Sequence, residues 1–251
     1  MAPVASASGP RPLVVLHPFP LDATAWDPFL RALAWPGPVV APNFPGFGGA
    51  AAEPAPTIER FADSVATLVA RHPAALVVGL SMGGYTALAL AVRHPDRVGA
   101  LALACTRADA DDEAIRAGRE RSIETVRTEG RDAFVDGLIP RLLAPGSAAH
   151  TVARTRAIAR RQPPEAIVAA LRALRDRPDR NADLAAIAAP AMVIAGAQDA
   201  VIPPAATRAL AAGLRRGRLA VVEGAGHLAP MERPAVVASL VRGLAAAVPR
   251  D

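Results

Sequence analysis

The sequence predicts an α/β protein in which a mostly parallel sheet is flanked by helices. Short apolar segments alternate along the chain with longer segments of helical periodicity, the pattern of a parallel sheet covered on both faces. The predicted strands are residues 12–17, 38–41, 74–79, 99–105, 191–196 and 218–223. The predicted helices between them are residues 25–34, 58–71, 82–93, 204–213 and 234–248.

The alternation stops between residues 106 and 189. This segment is richer in charge, shows no strand pattern, and has helical spacing at residues 114–129, 131–143, 149–161 and 164–175. A group of helices inserted between two strands is typical of a lid over one end of a sheet. We therefore divide the chain into a core, residues 1–105 and 190–251, and an inserted helical lid, residues 106–189.

Composition indicates a globular protein away from membranes. Of the 251 residues, 52% are hydrophobic and 20% charged, and no apolar segment reaches the roughly 20 residues that a transmembrane helix needs. The start of the chain lacks the basic and apolar regions of a secretory signal. Cys105 is the single cysteine, which excludes an intrachain disulfide. We expect a cytoplasmic protein.

The positive charge does not indicate a nucleic-acid partner. All 28 basic residues are arginines, against 23 carboxylates, which gives a formal charge of +5. Binding to nucleic acid requires the basic residues to cluster. Here acidic residues interleave with the arginines, as in residues 172–180. We expect neither nucleic acid nor a membrane as a partner, and the sequence does not indicate the oligomeric state.

The most specific motif is Gly79-Leu80-Ser81-Met82-Gly83-Gly84, between a predicted strand and a predicted helix. Glycines around a serine at such a junction allow a strained turn that presents the hydroxyl above the sheet. The turn also places the Met82 amide at a helix N-terminus, which favours developing negative charge. Ser81 is therefore the candidate nucleophile, and the Met82 amide is a candidate oxyanion donor.

A serine nucleophile needs a base and an acid that orients the base. Of five histidines, His227 alone lies in a glycine-rich loop after a predicted strand, where open α/β sheets place their ligands. Asp199 likewise follows the strand at 191–196, although an aspartate there could instead be a helix N-cap or a turn residue ahead of Pro203-Pro204. Glu223 and Glu232 flank the histidine loop and are weaker candidates for the acid.

The loop after the first strand is the candidate source of a second oxyanion donor. Pro18 and Pro20 have no amide proton, so Phe19 carries the free amide between His17 and Leu21. We interpret His17 as a structural residue of this loop. Three side chains are predicted to line an apolar acyl pocket: Phe19, Phe47 and Met82. For Phe47, ordinary core packing is an equal alternative.

Together these motifs resemble the α/β-hydrolase superfamily over nearly the whole chain. The resemblance rests on the His17-Pro18-Phe19 loop, the turn at Ser81, and the order Ser81, Asp199, His227. The elbow is similar to that of small serine esterases and enol-lactonase-like hydrolases. Pro18 departs from the glycine that usually follows the histidine in this family, which leaves the Phe19 amide available but stiffens the loop.

The resemblance implies the α/β-hydrolase fold with an inserted helical lid, and hydrolysis of a small carboxylic ester or lactone through an acyl-enzyme. Such chemistry requires neither a metal nor an organic cofactor. One of about fifteen lid arginines could bind a substrate carboxylate. The same triad could instead serve carbon–carbon bond hydrolysis, a lyase reaction or perhydrolysis. A slow-turnover ligand receptor, with the lid as partner surface, is the alternative outside catalysis.

Overall fold

The computed structural model describes residues 11–72 and 74–247. The start of the chain, on which the prediction about a secretory signal rests, lies outside these residues. So does Val248, the predicted end of the last helix. Among the described residues, no helix combines the length and apolar character needed to cross a bilayer.

The core of the described chain is a six-stranded, fully parallel sheet. The strands are β1 (Leu13–Leu16), β2 (Val39–Val40), β3 (Ala75–Leu80), β4 (Val98–Ala104), β5 (Ala191–Gly196) and β6 (Gly217–Val222). Their order across the sheet is β2-β1-β3-β4-β5-β6. Each predicted strand is present, with ends that differ by at most two residues, because β1, β3 and β4 are almost wholly buried and read as continuous apolar segments.

Helices flank the sheet and also form the insertion. The flanking helices are α1 (Asp27–Leu33), α2 (Ile58–Leu68), α3 (Met82–Arg93), α8 (Pro204–Gly213), α9 (Ala229–Glu232) and α10 (Pro234–Ala246). Helix α1 packs against α10, and α2 packs against α3. The inserted helices, between β4 and β5, are α4 (Glu113–Thr128), α5 (Arg131–Leu142), α6 (Ala149–Arg160) and α7 (Pro164–Arg175).

The first helix begins differently from the prediction. Residues Ala23–Trp26 form a separate 3-10 turn, and α1 starts only at Asp27. The Asp22 carboxylate accepts the Thr24 amide and so closes the turn, as expected for an aspartate at an N-cap. Pro28 then lies in the first turn of α1. Three elements were not predicted at all: the short helix α9 and the 3-10 turns Pro95–Arg97 and Asn181–Ala186.

Asp22 attaches the inserted helices to the loop that follows β1. This carboxylate is 1% exposed and accepts hydrogen bonds from Arg161 at 2.7 and 2.8 Å and from Gln162 at 2.7 Å. Both donors directly follow α6. Burial alone would raise the pKa of Asp22, but bonds from Arg161, Thr24 and Gln162 outweigh burial and lower the pKa to about 2.

Replacing Asp22 by asparagine should destabilise the protein in a pH-dependent way. The pKa of Asp22 is lower in the folded than in the unfolded state, so its contribution is complete above about pH 4 and is lost as the pH falls towards 2. We expect Asp22→Asn to lower the free energy of unfolding by about 2 kcal/mol at pH 7, measured by urea denaturation. The difference from wild type should shrink between pH 4 and 2; a constant difference would contradict a role for the charge.

Candidate active site

The candidate residues meet at the carboxyl edge of the sheet. The chain leaves β1 towards β2 on one side, whereas β3 pairs with β1 on the other side. Such a switch in direction opens a crevice beyond the strand ends, where open α/β sheets bind ligands. The loop containing Phe19 follows β1 and Ser81 follows β3. Asp199 and His227 lie in the loops after β5 and β6.

Ser81 occupies a strained turn between β3 and α3. Its backbone has φ 52° and ψ −112°, a conformation that costs a non-glycine residue about 1–3 kcal/mol. The turn is held from both sides: the Ser81 amide donates to the Ala104 carbonyl at 2.9 Å, and the Thr106 hydroxyl donates to the Ser81 carbonyl at 3.1 Å. The end of β4 and the residues just after it thus fix the serine at the start of α3.

Two glycines make this turn possible. A Cβ atom on Gly79 would lie 2.3 Å from the carbonyl oxygen of Gly83, and a Cβ on Gly83 would lie 2.0 Å from that of Leu16. Both obstacles are backbone atoms, which cannot rotate away. Helix α3 therefore passes close over β1 and β3 only because these positions carry no side chain.

His227 and Asp199 form a buried hydrogen-bonded pair. The His227 Nδ1 lies 2.9 Å from Oδ2 and 3.1 Å from Oδ1 of Asp199, and the side chains are 2% and 3% exposed. An ionised carboxylate only accepts hydrogen bonds, so Nδ1 carries the proton. In the neutral form of the ring, the other nitrogen, Nε2, then has a lone pair. His227 and Ser81 line one cavity.

Asp199 is kept ionised by its neighbours. Burial raises its pKa, but the hydrogen bond and charge of His227, with the amides of Val201 and Ile202, outweigh burial and lower the pKa below its ordinary value. These two amides also show that Asp199 caps the turn before α8. The structural role weighed for Asp199 and its contact with His227 are therefore both present in the structure.

A buried thiol lies beneath this pair. Cys105 is fully buried, and desolvation, together with the charge of Asp199, raises its pKa well above the ordinary value. Its Sγ donates to the Gly226 carbonyl at 3.7 Å. Of the described residues, only Cys105, Asp199 and His227 bring three potential metal-ligand atoms within 4.8 Å of one another. A protonated thiol is a poor metal ligand, and the other two groups bind each other.

The two candidate oxyanion amides are free to bind a ligand. In residues 11–72 and 74–247, neither the Phe19 nor the Met82 amide has a hydrogen-bond partner. His17 supports the Phe19 loop: its Nε2 accepts the Phe44 amide at 3.0 Å. Burial lowers the pKa of His17 to about 4, so the ring is neutral at pH 7. His17 is thus the structural residue that the sequence predicts.

The cavity above Ser81 has a volume of about 400 Å³ and an apolar wall. Phe19 lines it, as predicted. Phe47 and Met82 do not: both are 0% exposed and lie in the core, where the Phe47 ring packs 5.5 Å from that of His17. The prediction of pocket side chains is therefore wrong for these two residues. The inserted helices supply the wall instead, with Ile115, Phe134, Leu138, Leu142, Leu171 and Leu174.

Four arginines also line this cavity, and two of them lack an acidic partner. Arg107 pairs with Asp109, and Arg119 pairs with the buried Asp111 at 3.1 Å. Arg121 and Arg141 are exposed and form no hydrogen bond or ion pair within the described chain. Two other cavities, of about 460 and 570 Å³, include neither Ser81 nor His227.

The sequence analysis did not identify several residues around the site, although the spacing of some of them indicates a shared helix face. Phe134, Leu138 and Leu142 recur every four residues and so share one face of the predicted helix α5. Tyr85, one turn after Ser81, lines the same cavity. The bond from the Ala144 amide to Glu232 could not be predicted, because it joins segments 88 residues apart in the sequence.

Substituting Gly79 by alanine should test the close approach of α3 to the sheet. The new Cβ would overlap the Gly83 carbonyl, so we expect the free energy of unfolding to fall by about 3 kcal/mol, measured by urea denaturation. Gly243→Ala is the matched control: Gly243 lies within α10 with nothing within 4 Å of its Cβ position. There alanine should stabilise by about 0.5–1 kcal/mol. Equal effects of the two changes would contradict the steric explanation.

Relatives with sequence similarity over most of the chain are esterases. A pimeloyl-[acyl-carrier protein] methyl ester esterase of Neisseria meningitidis serogroup A is 30% identical over 239 residues, which cover 92% of this chain and 76% of that protein. A protein of the same name from Chromobacterium violaceum is 34% identical over 213 residues, covering 80% of this chain and 81% of its own.

Solved structures show the same similarity. A thermophilic esterase from Thermogutta terrifontis has 34% sequence identity and a TM-score of 0.88, covering 93% of this chain and 88% of its own. The enol-lactonase from Burkholderia xenovorans LB400 has 27% identity and a TM-score of 0.84, covering 94% and 91%. The model of the alpha/beta hydrolase family matches residues 13–240. The chain therefore belongs to the alpha/beta hydrolase family.

Proposed function

We propose that this carboxylic ester hydrolase works through an acyl-enzyme formed on Ser81, with His227 as base and Asp199 as the acid that orients it. One observation carries the proposal: the strained Ser81 turn opens into the cavity that His227 also lines. Asp199 binds the far nitrogen of that histidine. A serine and a histidine that line one cavity, with a carboxylate bound to the histidine, are the elements of acyl transfer.

The first half of the reaction acylates the serine. His227 Nε2 removes the hydroxyl proton as Ser81 Oγ attacks the ester carbonyl carbon. The negative charge that develops on the carbonyl oxygen is stabilised by the amides of Phe19 and Met82, which have no other partner in the described chain. Asp199 stabilises the imidazolium that forms. The imidazolium then protonates the leaving alkoxide, and the carbon–oxygen bond breaks.

The second half releases the acid. His227 removes a proton from water, which attacks the acyl carbon, and the same two amides hold the second oxyanion. The imidazolium returns its proton to Ser81 Oγ, and the carboxylic acid leaves.

The substrate class that fits best is a small carboxylic ester or lactone. A volume of about 400 Å³ is at the lower end of the range for small-molecule sites. Phe19, Phe134 and Leu138 give the cavity an apolar wall that suits an acyl chain. Intramolecular esters use the same attack, with the leaving alkoxide still attached to the acid.

A second candidate is an ester that bears a negative charge at a distance from the reacting carbonyl, on a free carboxylate or on an attached carrier; the relatives are named for a methyl ester attached to an acyl-carrier protein. Arg121 and Arg141 favour it, because both line the cavity, are exposed and lack acidic partners in the described chain. Guanidinium groups bind carboxylates and phosphates in bidentate geometry. The two arginines would hold the charged end while the ester reaches Ser81.

Substitution of the proposed catalytic groups should abolish hydrolysis of p-nitrophenyl acetate without unfolding the protein. We expect Ser81→Ala to retain less than about 1% of kcat, and Asp199→Asn to lose on the order of 10⁴-fold because the imidazole loses the partner that fixes its tautomer. Circular dichroism checks the fold of each variant. Substantial turnover by folded Ser81→Ala would place the nucleophile elsewhere, and a loss below tenfold for Asp199→Asn would assign the acid role to another carboxylate.

The role of Arg121 and Arg141 in binding can be tested separately from the catalytic reaction. We expect the double change Arg121→Gln and Arg141→Gln to raise KM for the monomethyl ester of a dicarboxylic acid by about tenfold, equivalent to about 1.4 kcal/mol, with little change for a neutral methyl ester. The double change Arg216→Gln and Arg218→Gln removes the same two charges at the edge strand β6, away from the cavity, and serves as control. Equal KM changes for both esters would contradict recognition of the negative charge.

A further inference from the structure

We propose that Glu232 is a positioning residue for His227, and that it links this histidine to the inserted helices. The proposal rests on the function proposed above. Glu232 lies in the short helix α9, five residues after His227. It is not the acid of the site, because Asp199 holds the His227 Nδ1. Its carboxylate instead binds the peptide backbone on both sides of the histidine.

One carboxylate oxygen holds the histidine loop. Glu232 Oε1 accepts the Gly226 amide at 2.9 Å and the Leu228 amide at 3.2 Å. These two peptide groups lie directly before and after His227, so their position determines where its Cα and Cβ atoms lie. Asp199 restrains the ring at one nitrogen only, and the backbone must fix the remaining freedom of the imidazole.

The other oxygen holds the connection between α5 and α6. Glu232 Oε2 accepts the Ala144 amide at 2.8 Å and the Ser147 hydroxyl at 2.7 Å. The carboxylate thus receives four hydrogen bonds, which is about its full acceptor capacity. Because the four donors belong to two segments, one side chain joins the histidine loop to the inserted helices.

Direct backbone contacts reinforce this link. The Leu228 amide also donates to the Leu142 carbonyl at 3.1 Å. A Cβ atom on Gly226 would lie 2.5 Å from the Ala144 nitrogen, so the two segments touch without an intervening side chain. Leu142 ends α5 and lines the cavity above Ser81. The cavity wall and the catalytic histidine are therefore held by the same carboxylate.

Two substitutions test this role. Glu232→Gln keeps an oxygen that accepts two bonds, but its NH₂ group cannot accept the Ala144 amide, and we expect kcat to fall about tenfold. Glu232→Ala removes all four bonds, and we expect a fall of about 100-fold, the size of loss that a 1 Å displacement of a catalytic group produces. KM should change less than threefold in both, because Glu232 does not line the cavity itself and Leu142 keeps its own bond from the Leu228 amide.

Matched controls separate the link from charge and from stability. Glu223→Gln removes the same charge four residues before His227, at an exposed side chain with no hydrogen bond or ion pair in the described chain, and should keep wild-type kcat. Ser147→Ala removes one of the four bonds on the side away from the histidine and should lower kcat less than threefold. Thermal unfolding midpoints are measured for every variant.

A spectroscopic measurement reports on the histidine itself. The proton on His227 Nδ1, bound to Asp199, should give a low-field proton NMR resonance in the wild type. We expect Glu232→Gln to shift or broaden this resonance, whereas Glu223→Gln leaves it unchanged. A purely structural role for Glu232 would lower the unfolding midpoint while leaving the resonance and the kcat of the folded enzyme as in wild type, and that result would overturn the proposal.

The same assay distinguishes failure of this inference from failure of the proposed function. Ser81→Ala is measured alongside. If Ser81→Ala turns over as wild type does, the proposed function fails whatever Glu232 does. If Ser81→Ala is inactive and folded Glu232→Gln keeps wild-type kcat, only the role of Glu232 is rejected. Should Glu232→Ala not fold, the nearly isosteric Glu232→Gln still decides the question.

Discussion

The close approach of helix α3 to strands β1 and β3 is the constraint on which the site depends. Alanine at Gly79 or Gly83 would overlap backbone carbonyls at 2.3 and 2.0 Å, so side chains are excluded where the helix crosses the strands. This approach forces Ser81 to a positive φ and directs the start of α3 towards the crevice. The free amide of Met82 and the placement of the serine in the cavity both follow from that one turn.

Three carboxylates fix the positions of the loops that form the site. Asp199 holds the Nδ1 of His227. Asp22 joins the loop after β1 to Arg161 and Gln162, which follow α6. Glu232 joins the histidine loop to Ser147, which precedes α6. The residues that flank helix α6 are thus attached at one end to the loop of Phe19 and at the other end to the loop of His227. The inserted segment is part of the site's framework as well as a wall of its cavity.

The sequence predicts the strand ends well and the cavity poorly, for a physical reason. Ser81 follows the buried strand β3, Asp199 lies in the loop after the mostly buried β5, and His227 lies in the loop after the edge strand β6. Local pattern alone therefore places all three at one edge of a parallel sheet. Phe47 was predicted to line the cavity, yet its side chain is buried in the core and packs against His17. Whether an apolar side chain faces a cavity or the core depends on tertiary packing. The same holds for Glu232, whose donors lie up to 88 residues away.

The central claim is that Ser81 is an activated nucleophile. Intact mass spectrometry after incubation with a fluorophosphonate probe tests it most directly, because only a serine deprotonated by a neighbouring base reacts readily at phosphorus. The account predicts one adduct per wild-type chain, and none on Ser81→Ala. An equal adduct on folded Ser81→Ala, or no adduct on folded wild type, would contradict it.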